Sequence, residues 1–156
     1  MRISESKVLI PVVEPKDYGS AGVDSDSINM GALHAVSVNI LLGALTGNTT
    51  LIIYNGATQG AKTTAIPFKY RVGAQVFKTT PADQFGDAVA ATSSGLVLTG
   101  ATYVHKQIVV EFDSDTMTEG QPWLTFSFDN VASVFLCAAC GIGTPRYESH
   151  LPPTTL

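Results

Sequence analysis

The sequence predicts an all-β fold, an antiparallel β-sandwich or jelly roll with extended N- and C-terminal arms. Three observations carry that expectation. Apolar and polar residues alternate with a period of two through most of the chain, strand-like runs recur about every ten residues with Gly, Asn, Asp or Pro between them, and no amphipathic helix of any length interrupts the pattern. At 156 residues the chain suits one domain, long enough to bury a core without disulfides or metals. The expected organisation is an arm over 1–22, a sandwich over 23–142 and a tail over 143–156.

In chain order, the first apolar segment is Val8-Leu-Ile-Pro-Val-Val13, flanked by charges and interrupted by Pro11. It is too short and too broken for a secretory signal, so the product is expected to stay in the compartment where it is made. From Leu33 to Leu42, Val36, Val38 and Ile40 alternate with Ser37 and Asn39, which gives one apolar and one polar strand face. Gly47 and Asn48 then supply a turn, and Thr50-Leu-Ile-Ile-Tyr54 returns as a strand expected to pair with the first as a hairpin. Polar residues between Ser37 and Thr50 keep this stretch from being a membrane span. Asn55-Gly56 reads as the sharpest turn, because both residues tolerate positive φ. A strand over Thr63 to Tyr70 follows, placed by Pro67 at a sheet edge or a bulge.

The region from Gly73 to Gly95 is irregular and is expected to hold a loop or one short helix around Pro81 to Ala90. Further strands are expected at Gly95 to Thr99, at His105 to Phe112 with Ile108, Val110 and Phe112 on one face, and at Trp123 to Phe128 with Leu124, Phe126 and Phe128 on one face. The last is the apolar run Val134 to Cys140. The two ends, with Pro11 near one and Pro145, Pro152 and Pro153 near the other, cannot join a central strand and still need burial. Each either docks on a neighbouring chain or packs back on its own sandwich. For the docking reading, the inter-subunit contacts expected are Val8, Leu9, Ile10, Val12 and Val13 with Tyr147 and Leu151.

Composition speaks to function class. The chain is 45% hydrophobic and only 14% charged. Average domains carry roughly 25% charged residues, so copies repel one another weakly and much of the surface is expected to lie against neighbours. The net charge of -4 and the scattered Lys and Arg offer no stripe for a phosphate backbone, so no direct nucleic-acid binding is expected.

Catalytic and metal motifs are weak. Cys137 and Cys140 form a C-x-x-C, but three residues apart on a strand they face opposite sides about 10 Å apart, and they are expected to be inert core cysteines. Asp24-Ser-Asp26 and Asp113-Ser-Asp115 space carboxylates as a calcium loop does, yet neither continues with the remaining ligands, so turn capping is the expected role. His34 and His105 are expected to be partly buried polar residues near strand starts. No nucleophile elbow is present, so the chain is expected not to be an enzyme, with no cofactor and no metal. The aromatic residues Tyr54, Phe68, Tyr70, Phe77, Tyr103 and Trp123 are expected in the core or an interface, the alternative being a carbohydrate groove.

Three stretches resemble small virion structural proteins of tailed bacteriophages: Ser20-Ala-Gly-Val-Asp-Ser-Asp-Ser-Ile-Asn-Met30, Thr50-Leu-Ile-Ile-Tyr-Asn-Gly-Ala-Thr-Gln-Gly-Ala-Lys-Thr-Thr64 with Phe68-Lys-Tyr-Arg71, and Glu111-Phe-Asp-Ser-Asp-Thr-Met-Thr-Glu-Gly-Gln-Pro-Trp123. The likeness covers roughly Asp17 to Tyr147 and is greatest to head decoration or cement proteins. It implies a non-enzymatic subunit on the capsid exterior, made in the host cytoplasm, that binds the major capsid protein and itself, with no membrane contact. Capsid lattices present threefold positions, which makes a trimer the expected closed form. The rival expectations are a lectin-like module that uses Trp123, and a neck, tail or fibre-base component.

Overall fold

The computed structural model describes residues 6–77, 84–129 and 132–147. Its strands are β1 (Val8–Asp17), β2 (Val23–Asp24), β3 (Ile28–Asn29), β4 (Leu33–Thr46), β5 (Asn48–Gly56), β6 (Thr64–Ala65), β7 (Phe68–Val72), β8 (Val89–Ala91), β9 (Leu96–Thr99), β10 (Gln107–Asp113), β11 (Trp123–Phe128) and β12 (Val134–Pro145). One four-residue helix, α1 (Gly100–Tyr103), joins β9 to β10. The chain is an all-β antiparallel sandwich. Sheet A has the order β1-β12-β4-β10-β7-β8. In sheet B, β11 and β5 are central, β2 and β3 share the far edge of β11, and β6 and β9 share the far edge of β5.

The period-two patterns locate the core. Val36, Val38, Ile40 and Leu42 of β4 and Ile108, Val110 and Phe112 of β10 point inward from sheet A, against Leu51 and Ile53 of β5 and Leu124, Phe126 and Phe128 of β11. Aromatic rings bridge the two layers. Phe112 meets Phe126 edge-on at 6.3 Å and 88°, and Phe128 lies 5.2 Å from Phe135 of β12. Thr125 faces outward from sheet B yet is buried, because Ser27 bonds its hydroxyl at 2.8 Å and Gly60 N–H donates to Ser27 Oγ, folding the 57–63 loop over it.

Several expectations are corrected. The β4–β5 hairpin does not form, because β4 has both edges taken by β12 and β10 in sheet A, and β5 has both edges taken within sheet B. Gly47, at φ 92°, turns the chain from one layer to the other. Asn55-Gly56 is the end of β5 rather than a turn, and the reversal falls in the following loop with Gly60 at φ 78°. The predicted strand over Thr63 to Tyr70 is two strands in different sheets, broken at Ile66–Pro67 where the chain crosses between layers. Residues 84–90 contain no helix, and 81–83 lie outside the described residues.

Of the two readings left open for the ends, packing back on the chain's own sandwich is the one that β1 follows. β1 pairs antiparallel with β12 from Val8↔Gly143 to Asp17↔Leu136, so residues 8–17 pack back on their own chain as a sheet-edge strand. Asp17 clips it in place. Its Oδ1 accepts from the backbone N–H of Phe135 at 2.8 Å and of Gly19 at 2.9 Å, and these bonds, Phe135 first, hold its carboxyl below the usual range. At the other end β12 runs to Pro145, and Arg146 bonds Ala32 and Leu33 carbonyls, so 143–146 belong to the sandwich rather than to a tail.

Candidate docking face

Strand β12 is unlike the others. Its inner positions Phe135, Cys137 and Ala139 enter the core, as a half-buried strand requires, but its outer positions Leu136, Ala138, Cys140 and Ile142 are apolar as well. A sheet face that meets water ordinarily carries polar residues at these alternate positions. The neighbouring strands extend the patch, since register sets Leu9 beside Ile142, Pro11 beside Cys140, and Leu41 beside Ala138. Leu9 is 53% exposed, Leu136 44%, Leu41 41% and Ile142 40%, values that mark uncovered side chains rather than core rims. Across β10 and β7 the same face turns polar, with Gln107, Glu111, Lys69 and Arg71 outward.

A groove of about 630 Å³ indents the apolar half. It forms because β1 carries register shifts between Pro11 and Val13 and again between Val13 and Lys16, so the second half of the strand departs from a regular ladder. Asp26 N–H bonds the Val12 carbonyl at 3.0 Å and holds the strand there. Leu9, Pro11, Val13, Leu41, Ala138 and Cys140 line the groove, with the carboxylates of Glu14 and Asp26 also on it. Asn39 borders the same groove, but its Oδ1 is buried beneath the surface with no hydrogen-bond donor among the described residues.

The expected contact residues distribute unevenly. Val12 and Val13 are 3% and 7% exposed and belong to the chain's own core, which corrects their assignment to another subunit. Val8 and Ile10 pack partly buried against that core. Leu9 lies on the docking face, and Tyr147 is 63% exposed beyond β12. Leu151 lies outside the described residues. Leu41, Leu136, Cys140 and Ile142 were not singled out as contacts; the signal was the apolar run of β12, which continues on both faces.

Other candidate chemistry dissolves into structure. Asp24 bonds Lys62 Nζ at 2.8 Å and Ser127 Oγ at 2.6 Å; partial burial pushes its carboxyl up, but these bonds outweigh it and leave it below its usual range. Lys62 also sits 5.8 Å from the Tyr54 ring centroid. Among the described residues no three His, Cys, Asp or Glu side chains gather where they could hold a metal ion. His34 and His105 are exposed, not partly buried, and His105 has φ 56° in the turn before β10. Trp123 is half-buried at the start of β11, and Phe68 and Tyr70 lie in the core.

The two cysteines face opposite sides of sheet A, and only Cys137 is a core residue, a correction for Cys140. Burial pushes the Cys137 thiol up to about 12. Native protein titrated with a thiol reagent near pH 8 is therefore expected to react at Cys140 alone, with Cys137 appearing only after denaturation. Two fast thiols in the native state would show that the β12 ladder opens.

No family model matches the chain, and no curated protein or solved structure matches it.

Proposed function

We propose that the chain is a structural virion subunit that decorates and cements a capsid, docking on the major capsid protein through the apolar half of the outer face of sheet A. The double-sided apolarity of β12 carries this reading. In a subunit that stayed alone in water, Leu136, Ala138, Cys140 and Ile142 would expose a contiguous apolar stripe of the kind that marks interaction sites. The low charge content fits the same picture. The chain passes repeatedly between the layers, with β1, β4, β7, β8, β10 and β12 in one and β2, β3, β5, β6, β9 and β11 in the other, a winding like that of jelly rolls, which serve capsid and lectin domains alike. Trp123, the residue on which a lectin reading would turn, is half-buried, and Tyr70 is buried, which supports the structural role over the lectin.

A subunit that binds only the assembled lattice stabilises it by mass action, with no chemistry of its own. Self-association into a trimer on the capsid exterior belongs to the same proposal. Wild-type protein should co-sediment saturably with empty capsids built from the major capsid protein. Ile142→Glu, which places a charge in the interface and leaves the core untouched, should lose at least about tenfold in occupancy with an unchanged melting temperature. Full occupancy by the variant would remove the face from the proposal, and no binding by the wild type would remove the decoration role.

A further inference from the structure

We infer that the groove beside β1 receives a single extended, apolar segment of the capsid protein carrying one Lys or Arg. This rests on the decoration reading and deepens it. Two features of the groove specify the occupant. Its lining of Leu9, Pro11, Val13, Leu41, Ala138 and Cys140 takes apolar side chains, and its 630 Å³ lies in the range of clefts that enclose ligands. Glu14 and Asp26 set two carboxylates on the groove, and the only cation paired with either among the described residues is Lys16, 3.7 Å from Glu14 and exposed. A positively charged residue on the incoming segment complements them.

The form of the contact follows from β1 itself. Addition of a strand to the free edge of β1 is opposed by Pro11 and Pro15, two residues of ten that offer no backbone donor. The partner segment therefore lies on the face rather than extending the sheet.

The test uses the full chain and empty capsids of the major capsid protein. Alkylation of Cys140 by N-ethylmaleimide should slow at least tenfold on capsids. Glu14→Lys with Asp26→Lys should weaken co-sedimentation about tenfold and flatten its salt dependence. All variants should melt as the wild type does, and Val97→Glu, on the edge strand β9 of sheet B, should bind normally. If wild type co-sediments while Cys140 reacts at its free rate, or the charge-reversed variant binds equally well, the groove assignment falls and decoration stands. If wild type does not co-sediment, both fall. Protection of Cys140 that rises with protein concentration in the absence of capsids would give the groove to a second copy and overturn the inference.

Discussion

Phe126→Ala is expected to destabilise the fold by about 3–5 kcal/mol, the range for removing a fully buried phenylalanine when the site cannot collapse around the gap. The site has little freedom to collapse. Phe126 is 1% exposed, and its ring abuts Phe112 from the opposite sheet edge-on. Its backbone is held as well, both polar groups bonding Ser25: Ser25 N–H donates to its carbonyl at 2.8 Å, and its own N–H donates to Ser25 Oγ at 2.9 Å. With total stabilities of about 5–15 kcal/mol, such a loss consumes a large share of the margin, and the melting temperature should fall by about 10 °C. Equilibrium urea unfolding read by Trp123 fluorescence checks it, with Phe77→Ala as the surface control expected to stay within about 0.5 kcal/mol. A loss below about 1 kcal/mol for Phe126→Ala would mean that the two sheets do not interlock through these rings.

Inward faces were legible in the sequence where a strand has one wet side. The alternations at Val36 to Ile40, Ile108 to Phe112 and Leu124 to Phe128 point inward as the period of two dictates. Partners were not legible, because alternation says which face is buried and nothing about which edge is paired. The turn at Gly47 is compatible with a hairpin or with a passage between layers, and the longer ladders that β12, β10 and β11 offer decide for the passage. Those strands lie 60 residues or more downstream, beyond the reach of local pattern.

The candidate site shows the same division. The segment Val8 to Val13 was correctly marked as apolar and in need of burial, but Val12 and Val13 satisfy that need within their own chain once β12 pairs with them. The residue left uncovered from that segment is Leu9, and its companions Leu41 and Ile142 come from strands far apart in sequence. Phe135 to Ala139 reads as a buried strand, and so it is on one face. Only the sheet order, which among the described residues sets no second layer on the other face of β12, separates a core strand from an interface strand.

Asn55→Ala is expected to cost about 3 kcal/mol and to loosen the 114–122 loop selectively. Asn-Gly is the strongest turn signal a short sequence offers, yet Asn55 is 0% exposed inside β5 and its side chain works as a polar linker. Its amide oxygen accepts from Thr118 N–H at 2.9 Å and from the Thr118 hydroxyl at 2.8 Å, while its nitrogen donates to Gln121 Oε1 at 2.7 Å and to the Thr64 carbonyl at 3.1 Å. One side chain thus ties the loop before β11 to the strand β6. Truncation leaves buried donors and acceptors unpaired, each worth about 1–3 kcal/mol, in a space that alanine does not fill. Asn55→Asp separates the two causes. It keeps the volume but cannot donate to Gln121 or Thr64, so at neutral pH it should be nearly as destabilising as alanine, and it should recover in part as acid protonates the new carboxyl and restores one donor. Hydrogen exchange at the Thr118 amide should accelerate in Asn55→Ala well before global unfolding, and less in Asn55→Asp, whose carboxylate still accepts from that amide. Were exchange there unchanged while stability fell, the loss would belong to the cavity alone and the linker role of Asn55 would be wrong.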